Sequence, residues 1–263
     1  MNQPIGEEYQ QNQRLKNHYS KIANNYDSLW TYSPDFIQFV AQNIIKKLDL
    51  NFNDKLVDLG CGTGLFSKEI YRQIQLKHPI ICVDSSPEML QQIPVNKSYQ
   101  PLLMDAVDFS SKAKDIDKIL LKEMIHHVND KTKLITNLFN NLNPGGIFLL
   151  ILLPPTIEYP LFELAKTRYE ELQPHYTTIE TILNNVGFQT EVSFVTYPLS
   201  LDKARYFNMV ENRYMSLLSR FTDAEIQQGL KEMQEKYLHQ STFNFNDIFV
   251  FITGKKITNN ITN

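Results

Sequence analysis

The chain holds 263 residues, of which 42% are hydrophobic and 21% charged, with a formal net charge of −3. This is the composition of a globular protein and not of a disordered one, long enough for one large domain or one domain with an appended cap. A duplex-binding protein carries a basic excess or a basic stripe; neither is present, so nucleic acid is not an expected partner.

The chain opens on MNQPIGEEYQ, which is polar and lacks the apolar core of a signal peptide. No apolar run approaches the roughly 20 residues of a spanning helix. The expected location is the cytoplasm. Residues 9 to about 30 read as helix followed by a Tyr-rich approach segment. Ser33-Pro34-Asp35 predicts a helix start, and Phe36, Ile37, Val40, Ile44, Ile45 and Leu48 then recur at helical spacing. Asn51 to Asp54 is a turn.

Short apolar bursts then alternate with helical stretches. Lys55 to Leu59 runs into glycine, and Ser67 to Leu76 is helical. Pro79 to Val83 ends at Asp84, and Ser86-Pro87-Glu88 is a strong helix start with proline at the first helical position. Tyr99 to Met104 ends at Asp105. Ile116 to Leu121 is a fourth burst. Lys131 to Leu142 is an amphipathic helix that stops at Asn143-Pro144-Gly145-Gly146, and Ile147 to Leu153 is a fifth burst, wholly apolar. Continuous apolar strands alternating with helices predict a parallel sheet covered on both faces, hence a doubly wound α/β domain.

The tail changes character. Thr178 to Val186 is helical and closes at Gly187. Gln189 to Tyr197 and Asp247 to Thr253 read as two late strands that pair. Between them, Leu201 to Leu238 reads as a long helical insertion in which Thr222 to Glu225 form a cap. The chain divides accordingly into an N-terminal helical segment at 1–50, an α/β core at 51–198, a helical cap insertion at 199–240, and a final strand and tail at 241–263.

The sharpest motif is Val57-Asp58-Leu59-Gly60-Cys61-Gly62-Thr63-Gly64. Glycines belong where the backbone turns sharply from strand to helix and a ligand comes close. A dinucleotide fingerprint reads G-x-G-x-x-G. Here Gly60, Gly62 and Gly64 bring the third glycine one residue early, and Asp58 precedes them. A pyrophosphate is repelled by that carboxylate, whereas a ligand bearing an ammonium group is attracted. Asp84, 24 residues beyond Gly60, is placed to accept from two ribose hydroxyls. Asp105, with Ala106 beside it, is placed to accept from an amino group. Each acid alone is as readily a helix cap; three at successive strand ends behind a glycine turn are far more specific. The two cysteines, Cys61 in the turn and Cys82 in an apolar run, fit neither a disulfide framework nor a three-thiolate cluster.

In order along residues 15 to 155, VDLGCGTG, VDSSPEML, the Asp105 position and LNPGG-IFLLI resemble the class I methyltransferases that use S-adenosylmethionine (SAM), in particular the ubiquinone-biosynthesis-like and small-molecule branch. The resemblance implies a Rossmann-like seven-stranded sheet with its last strand antiparallel. It implies SAM as cofactor: Asp58, Gly60, Cys61, Gly62 and Gly64 toward the methionine part, Asp84 and Ser85 at the ribose, Met89 packed near ribose or adenine, and Asp105 and Ala106 at the adenine. Tyr19 and Tyr26, within HYSKIANNYD, match the family's tyrosine-containing lid helix; ordinary amphipathic packing is the competing reading.

After the fourth strand comes Leu121-Lys122-Glu123-Met124-Ile125-His126-His127. In relatives this segment faces cofactor and substrate. Lys122 stands where many relatives have a small or amide residue and is counted with the cofactor site, able to pair with Glu123 or a cofactor-site acid. His126, and secondarily His127, are the candidate general bases, against a plain reading as a turn cap and a solvent-facing ring. No metal site is expected. The run lacks the Asn/Asp-Pro-Pro-aromatic signature of nucleobase amine methylation. An aromatic lid around Tyr197, Tyr206, Phe207, Tyr214 and Phe221 suits a small organic substrate, with Arg205 and Arg213 as candidate anchors for an acidic group. The expected activity is methyl transfer to an O, N or C atom of such a molecule. The alternatives are a non-catalytic SAM-binding or regulatory protein and, more remotely, an NAD-dependent oxidoreductase on a similar sheet.

Overall fold

The computed structural model describes residues 32–257 together with Ala23, Asp27 and Leu29. Two compact units make up the chain. The larger comprises Ser33–Pro155, Gln173–Val195 and Ile248–Asn263, the smaller Met1–Tyr32, Thr156–Leu172 and Thr196–Asp247.

In chain order the elements are α1 (Pro34–Leu48), β1 (Leu56–Leu59), α2 (Leu65–Ile74), β2 (Ile80–Asp84), α3 (Pro87–Leu90), β3 (Tyr99–Leu103), α4 (Ala106–Lys112), β4 (Ile116–Lys122), α5 (Lys131–Asn141) and β5 (Leu142–Leu152). They continue as α6 (Glu163–Leu172), α7 (Tyr176–Val186), β6 (Phe188–Asp202), α8 (Lys203–Glu211), α9 (Asp223–Lys236) and β7 (Thr242–Lys256). The strands form one seven-stranded sheet in the order β3-β2-β1-β4-β5-β7-β6. Strands β1 to β5 pair in parallel, and β7 runs antiparallel to β5, with Leu150 opposite Ile252. The predicted architecture, including the antiparallel last strand and the pairing of the two late strands, is therefore the observed one.

Local chemistry explains the elements. Ser33 accepts the Phe36 N–H at 3.1 Å and starts α1. Phe36, Val40, Ile44 and Leu48 then form a fully buried stripe. Every residue of β1 is buried, and Leu149 to Leu152 of β5 have no exposed surface, as helices on both faces demand. The Asn143–Gly146 stretch is absorbed into β5 as an irregularity opposite Ile116 and Lys118. Helix α2 begins at Leu65, two residues before the predicted start, because the glycine turn itself caps it. Helix α3 is a single turn of four residues.

Three features of the tail differ from expectation. Strands β6 and β7 are each 15 residues long, extending past Gln189–Tyr197 and Asp247–Thr253. The insertion between them is broken into α8, a 3₁₀ turn at Ser216–Arg220, and α9. The break follows Arg213, whose φ of 54° lies in the left-handed region and cannot continue a helix. Helix α6 was not anticipated; only Ala165 and Tyr169 of it are buried, too sparse a pattern to show in the sequence.

Within the smaller unit, Tyr206 and Tyr214 share a 3.0 Å hydroxyl contact, and Tyr159 donates to Asp247 at 2.5 Å. The capping box predicted at Thr222 and Glu225 is present at the start of α9. Arg213 pairs with Asp223 at 2.6 Å. Among the described residues no helix is long and apolar enough to cross a membrane.

Candidate active site

The first strand ends in the glycine turn. Gly60, Gly62 and Gly64 have φ of 77°, 55° and 72°, the left-handed region where a side chain is strained. The N–H groups of Gly60 and Cys61 both donate to Val83 O, at 2.8 and 3.0 Å, tying the turn to the end of β2. A Cβ at Gly60 would lie 2.7 Å from Met124 Cγ, and one at Gly64 would lie 2.9 Å from Ile93 Cδ1. At Gly62 nothing lies within 4 Å. The outer two glycines are thus required by packing, and the middle one faces open space.

Asp58 sits on β1 just below the turn and is 4% exposed. Its Oδ2 accepts the Ser67 hydroxyl at 2.5 Å. Burial pushes its pKa up to about 6; the Ser67 hydrogen bond and the Lys122 charge pull it down, while the neighbouring Asp84 adds to the rise. Asp84, at the end of β2, receives the Gly62 N–H on Oδ2 and the Ser86 N–H on Oδ1, both at 2.9 Å. Burial raises its pKa as well, countered by the N–H groups of Ser86, Gly62 and Ser85. Each carboxylate oxygen keeps a second lone pair. A buried acid and a half-buried one, both raised in pKa, favour a ligand that brings positive charge and hydrogen-bond donors. They disfavour a pyrophosphate.

Ser85 is exposed beside Asp84, and Met89 is 2% exposed, its N–H donating to Ser86 Oγ at 3.3 Å. Hydrogen bonding with Cys82, burial and the Asp58 carboxylate push the Cys61 thiol well up. The third strand stops at Leu103, two residues short of Asp105. That residue is the exposed N-cap of α4, and its Oδ1 accepts the N–H groups of Val107 and Asp108 at 2.8 and 3.3 Å. Ala106 packs against the core. Met104 N–H donates to Asp84 O at 3.0 Å, which keeps the Asp105 loop beside the second strand end.

Lys122 is the last residue of β4. Its ammonium lies 4.9 Å from the ring centroids of both Phe66 and Phe249. Glu123 follows with φ of 54°, a strained backbone, and donates its N–H to Ile151 O at 2.8 Å. His126 and His127 form a 3₁₀ turn after it, with ring centroids 3.9 Å apart. The structure thus gathers Asp58, the glycines, Asp84 and Lys122 at the carboxyl edge of the sheet, where ligands bind in doubly wound folds. It puts both histidines on the segment that leaves this edge. Tyr19 and Tyr26 lie outside the described residues. Among the described residues no group of three or more His, Cys, Asp or Glu side chains is disposed to hold a metal ion.

Sequence reasoning missed Ser67, Phe66, Phe249 and Met124. Ser67 carries a signal in retrospect: it occupies the first turn of the helix after the glycines, and helical side chains lean toward the N-terminus, back at Asp58.

Comparison with known proteins bears on the family and the fold. A family model described as a methyltransferase domain matches residues 21–191. The ubiquinone biosynthesis O-methyltransferase of Pelagibacter ubique is 26% identical over 168 residues, 57% of this chain and 69% of that protein. The ubiquinone/menaquinone biosynthesis C-methyltransferase of Wigglesworthia glossinidia brevipalpis is 25% identical over 170 residues, 57% of this chain and 63% of that protein. Among solved structures, Haemonchus contortus phosphoethanolamine N-methyltransferase 2 in complex with S-adenosyl-L-methionine superposes with a TM-score of 0.59 at 18% identity. That match covers 91% of this chain and 57% of the other.

Proposed function

The chain belongs to the methyltransferase-domain family, and from that premise we propose that it transfers the methyl group of SAM to an O, N or C atom of a small organic acceptor. One observation carries the reading: Asp58, buried, and Asp84, half-buried, both raised in pKa, flank a glycine turn that is open at Gly62. SAM fits this set, because it offers an ammonium, a sulfonium and two ribose hydroxyls and has no phosphate.

Methyl transfer from a sulfonium is an in-line displacement, and that chemistry is what the cofactor supplies when bound. The protein's part is alignment and exclusion of water, and positioning of this kind is worth on the order of 7–11 kcal/mol in intramolecular analogues. Asp58 is assigned to the ammonium and Asp84 to the ribose. Met89 and the Asp105-Ala106 start of α4 are assigned to the ribose–adenine end. The capping duty of Asp105 occupies one of its oxygens and is compatible with acceptance at the other. His126 is assigned to remove a proton from acceptors that must lose one, with His127 beside it as the second choice.

The test is turnover. Incubated with SAM labelled at the methyl carbon, the protein is expected to label a small-molecule fraction of cell extract. Binding without turnover on any fraction would leave a SAM-binding regulator, and tight NADH binding without SAM binding would end the reading. Asp84→Ala is expected to weaken SAM by roughly 1–3 kcal/mol, the usual scale for hydrogen bonds to a charged group. Unchanged affinity in a folded variant would show that the ribose lies elsewhere.

A further inference from the structure

The chain's two cysteines meet at the base of the glycine turn. Cys61 sits in the turn between Gly60 and Gly62, and Cys82 is the middle residue of β2. Both are free thiols, Cys61 half-buried and Cys82 fully buried. The backbone brings them together. Cys82 lies beside Asp58 in the β1–β2 pairing, and the Cys61 N–H donates at 3.0 Å to the carbonyl of Val83, the residue after Cys82. The two side chains are hydrogen-bonded to each other. Each thiol also has a carbonyl within reach, Gly62 O at 3.6 Å from Cys61 Sγ and Ile80 O at 3.7 Å from Cys82 Sγ. The pair is unequal in freedom. Cys82 is held on both sides by the sheet, opposite Asp58 and Pro101. Cys61 is flanked by two glycines of positive φ and can shift with the turn.

We propose that Cys61 is a site of reversible oxidation by a low-molecular-weight disulfide, with Cys82 as the resolving thiol, and that the cross-link so formed disables the cofactor turn. The Cys61 thiolate attacks one sulfur of the small disulfide, forms a mixed disulfide and releases the first small thiolate. The Cys82 thiolate then attacks the Cys61 sulfur, closes the Cys61–Cys82 bond and releases the second. Two protein thiols are oxidised by two electrons, the small disulfide is reduced to two thiols, and the two protein protons pass to them. A disulfide draws its sulfurs closer than two thiols come. Cys82 is fixed in the sheet, so Cys61 must move. The neighbouring Gly62 N–H, which donates to Asp84 Oδ2 at 2.9 Å, moves with it. The cross-link thus pulls on the acid assigned to the ribose. The effect on binding rests on the SAM reading above; the cross-link itself does not. Hydrogen bonding with Cys82, burial and the Asp58 carboxylate hold the Cys61 thiol well above its ordinary value. Thiolate is therefore scarce near neutral pH, and the first step is slow there and quickens about tenfold per pH unit.

The full chain, incubated with oxidised glutathione between pH 7 and 9, is read by intact mass after remaining thiols are blocked. The wild type is expected to end two hydrogens lighter, with no glutathione and no blocking group attached. Cys82→Ala is expected to stop at one glutathione adduct, and Cys61→Ala to stay unmodified. Cross-linked wild type should bind S-adenosylhomocysteine about tenfold or more weakly in calorimetric titration, and dithiothreitol should restore the affinity. By linkage, saturating S-adenosylhomocysteine should lower the equilibrium constant of the cross-link in a glutathione buffer by the same factor, a measurement that needs no variant. A wild type that stops at the adduct, stays reduced through pH 9, or binds S-adenosylhomocysteine equally well when cross-linked overturns the proposal. A reduced wild type that does not bind S-adenosylhomocysteine overturns the cofactor reading and the effect on binding, while the mass still decides the cross-link.

Discussion

The Ser67 hydroxyl donates to Asp58 Oδ2 at 2.5 Å, and both residues are buried. This bond joins the end of β1 to the first turn of α2 across the glycine turn, so the loop is closed at its base by a side-chain pair as well as by backbone. Ser67→Ala removes a donor from a buried acid. It is expected to destabilise the fold by about 1–3 kcal/mol, the scale for a buried acceptor that loses its partner. The pKa of Asp58 should rise further. Urea unfolding reads the first effect and carboxyl NMR titration the second; an unshifted carboxyl would mean that the Ser67 bond does not govern this acid.

Asp58 also sets a pH dependence. Its ordinary value of 3.8 is raised to about 6, chiefly by burial, so the folded state holds a proton that the unfolded state has released. Stability contributed at low pH is therefore lost as pH rises from about 4 to about 6, a loss of roughly 3 kcal/mol at most for a shift of about two units. A cationic ligand reverses the preference, because it favours the ionised acid. Binding of S-adenosylhomocysteine is expected to be level above pH 7 and to weaken below about 6, approaching tenfold per pH unit. Asp58→Asn should remove this slope. Titrations from pH 5 to 8 on both proteins measure it, and an identical slope in the variant would assign the titration to another group.

Much of this site was legible from residue order alone, since the glycine turn, Asp58 and Asp84 each sit at the end of an apolar strand. Their spacing fixed both the local conformation and the edge of the sheet on which they gather. What surrounds Lys122 was not legible, because Phe249 is brought beside it by the pairing of β7 with β5, a contact between strands far apart in sequence. The role of Asp105 was legible only as a pair of alternatives. The structure shows the capping role, through the N–H groups of Val107 and Asp108. Helix α6 escaped notice for a simple reason: a helix with only Ala165 and Tyr169 buried has too narrow an apolar stripe to register as a period.

The three turn glycines should not respond alike. At Gly62 a methyl group meets nothing, and only the backbone conformation resists it; Gly62→Ala is expected to cost about 1–2 kcal/mol. Gly60→Ala adds a clash with Met124 Cβ and Cγ to the same strain, and should cost about 1–3 kcal/mol more. Shortening the neighbour separates the two contributions. In the Met124→Ala background, Gly60→Ala should fall toward the Gly62 value, a coupling readable from a double-mutant cycle. Additive losses would place the penalty in the backbone alone.

Gly229 sets two opposed effects against each other in the smaller unit. It lies inside α9, where glycine is about 1 kcal/mol worse than alanine, so by helix propensity alone Gly229→Ala stabilises. Its would-be Cβ, however, overlaps the ring of Phe162, reaching within 2.8 Å of Cε1 and closer still to Cγ and Cδ1. That ring cannot easily yield: Phe162 is 2% exposed and packs edge-on against Phe221, with centroids 5.3 Å apart. Overpacking of this kind costs about 1–3 kcal/mol, so the net effect of Gly229→Ala should be destabilising. In a Phe162→Leu background the overlap is relieved and the propensity remains, so there the same substitution should stabilise by about 1 kcal/mol. A reversal of sign between the two backgrounds, measured by urea unfolding, identifies the ring as the reason for glycine at this position. Stabilisation in both would show that Phe162 moves aside freely.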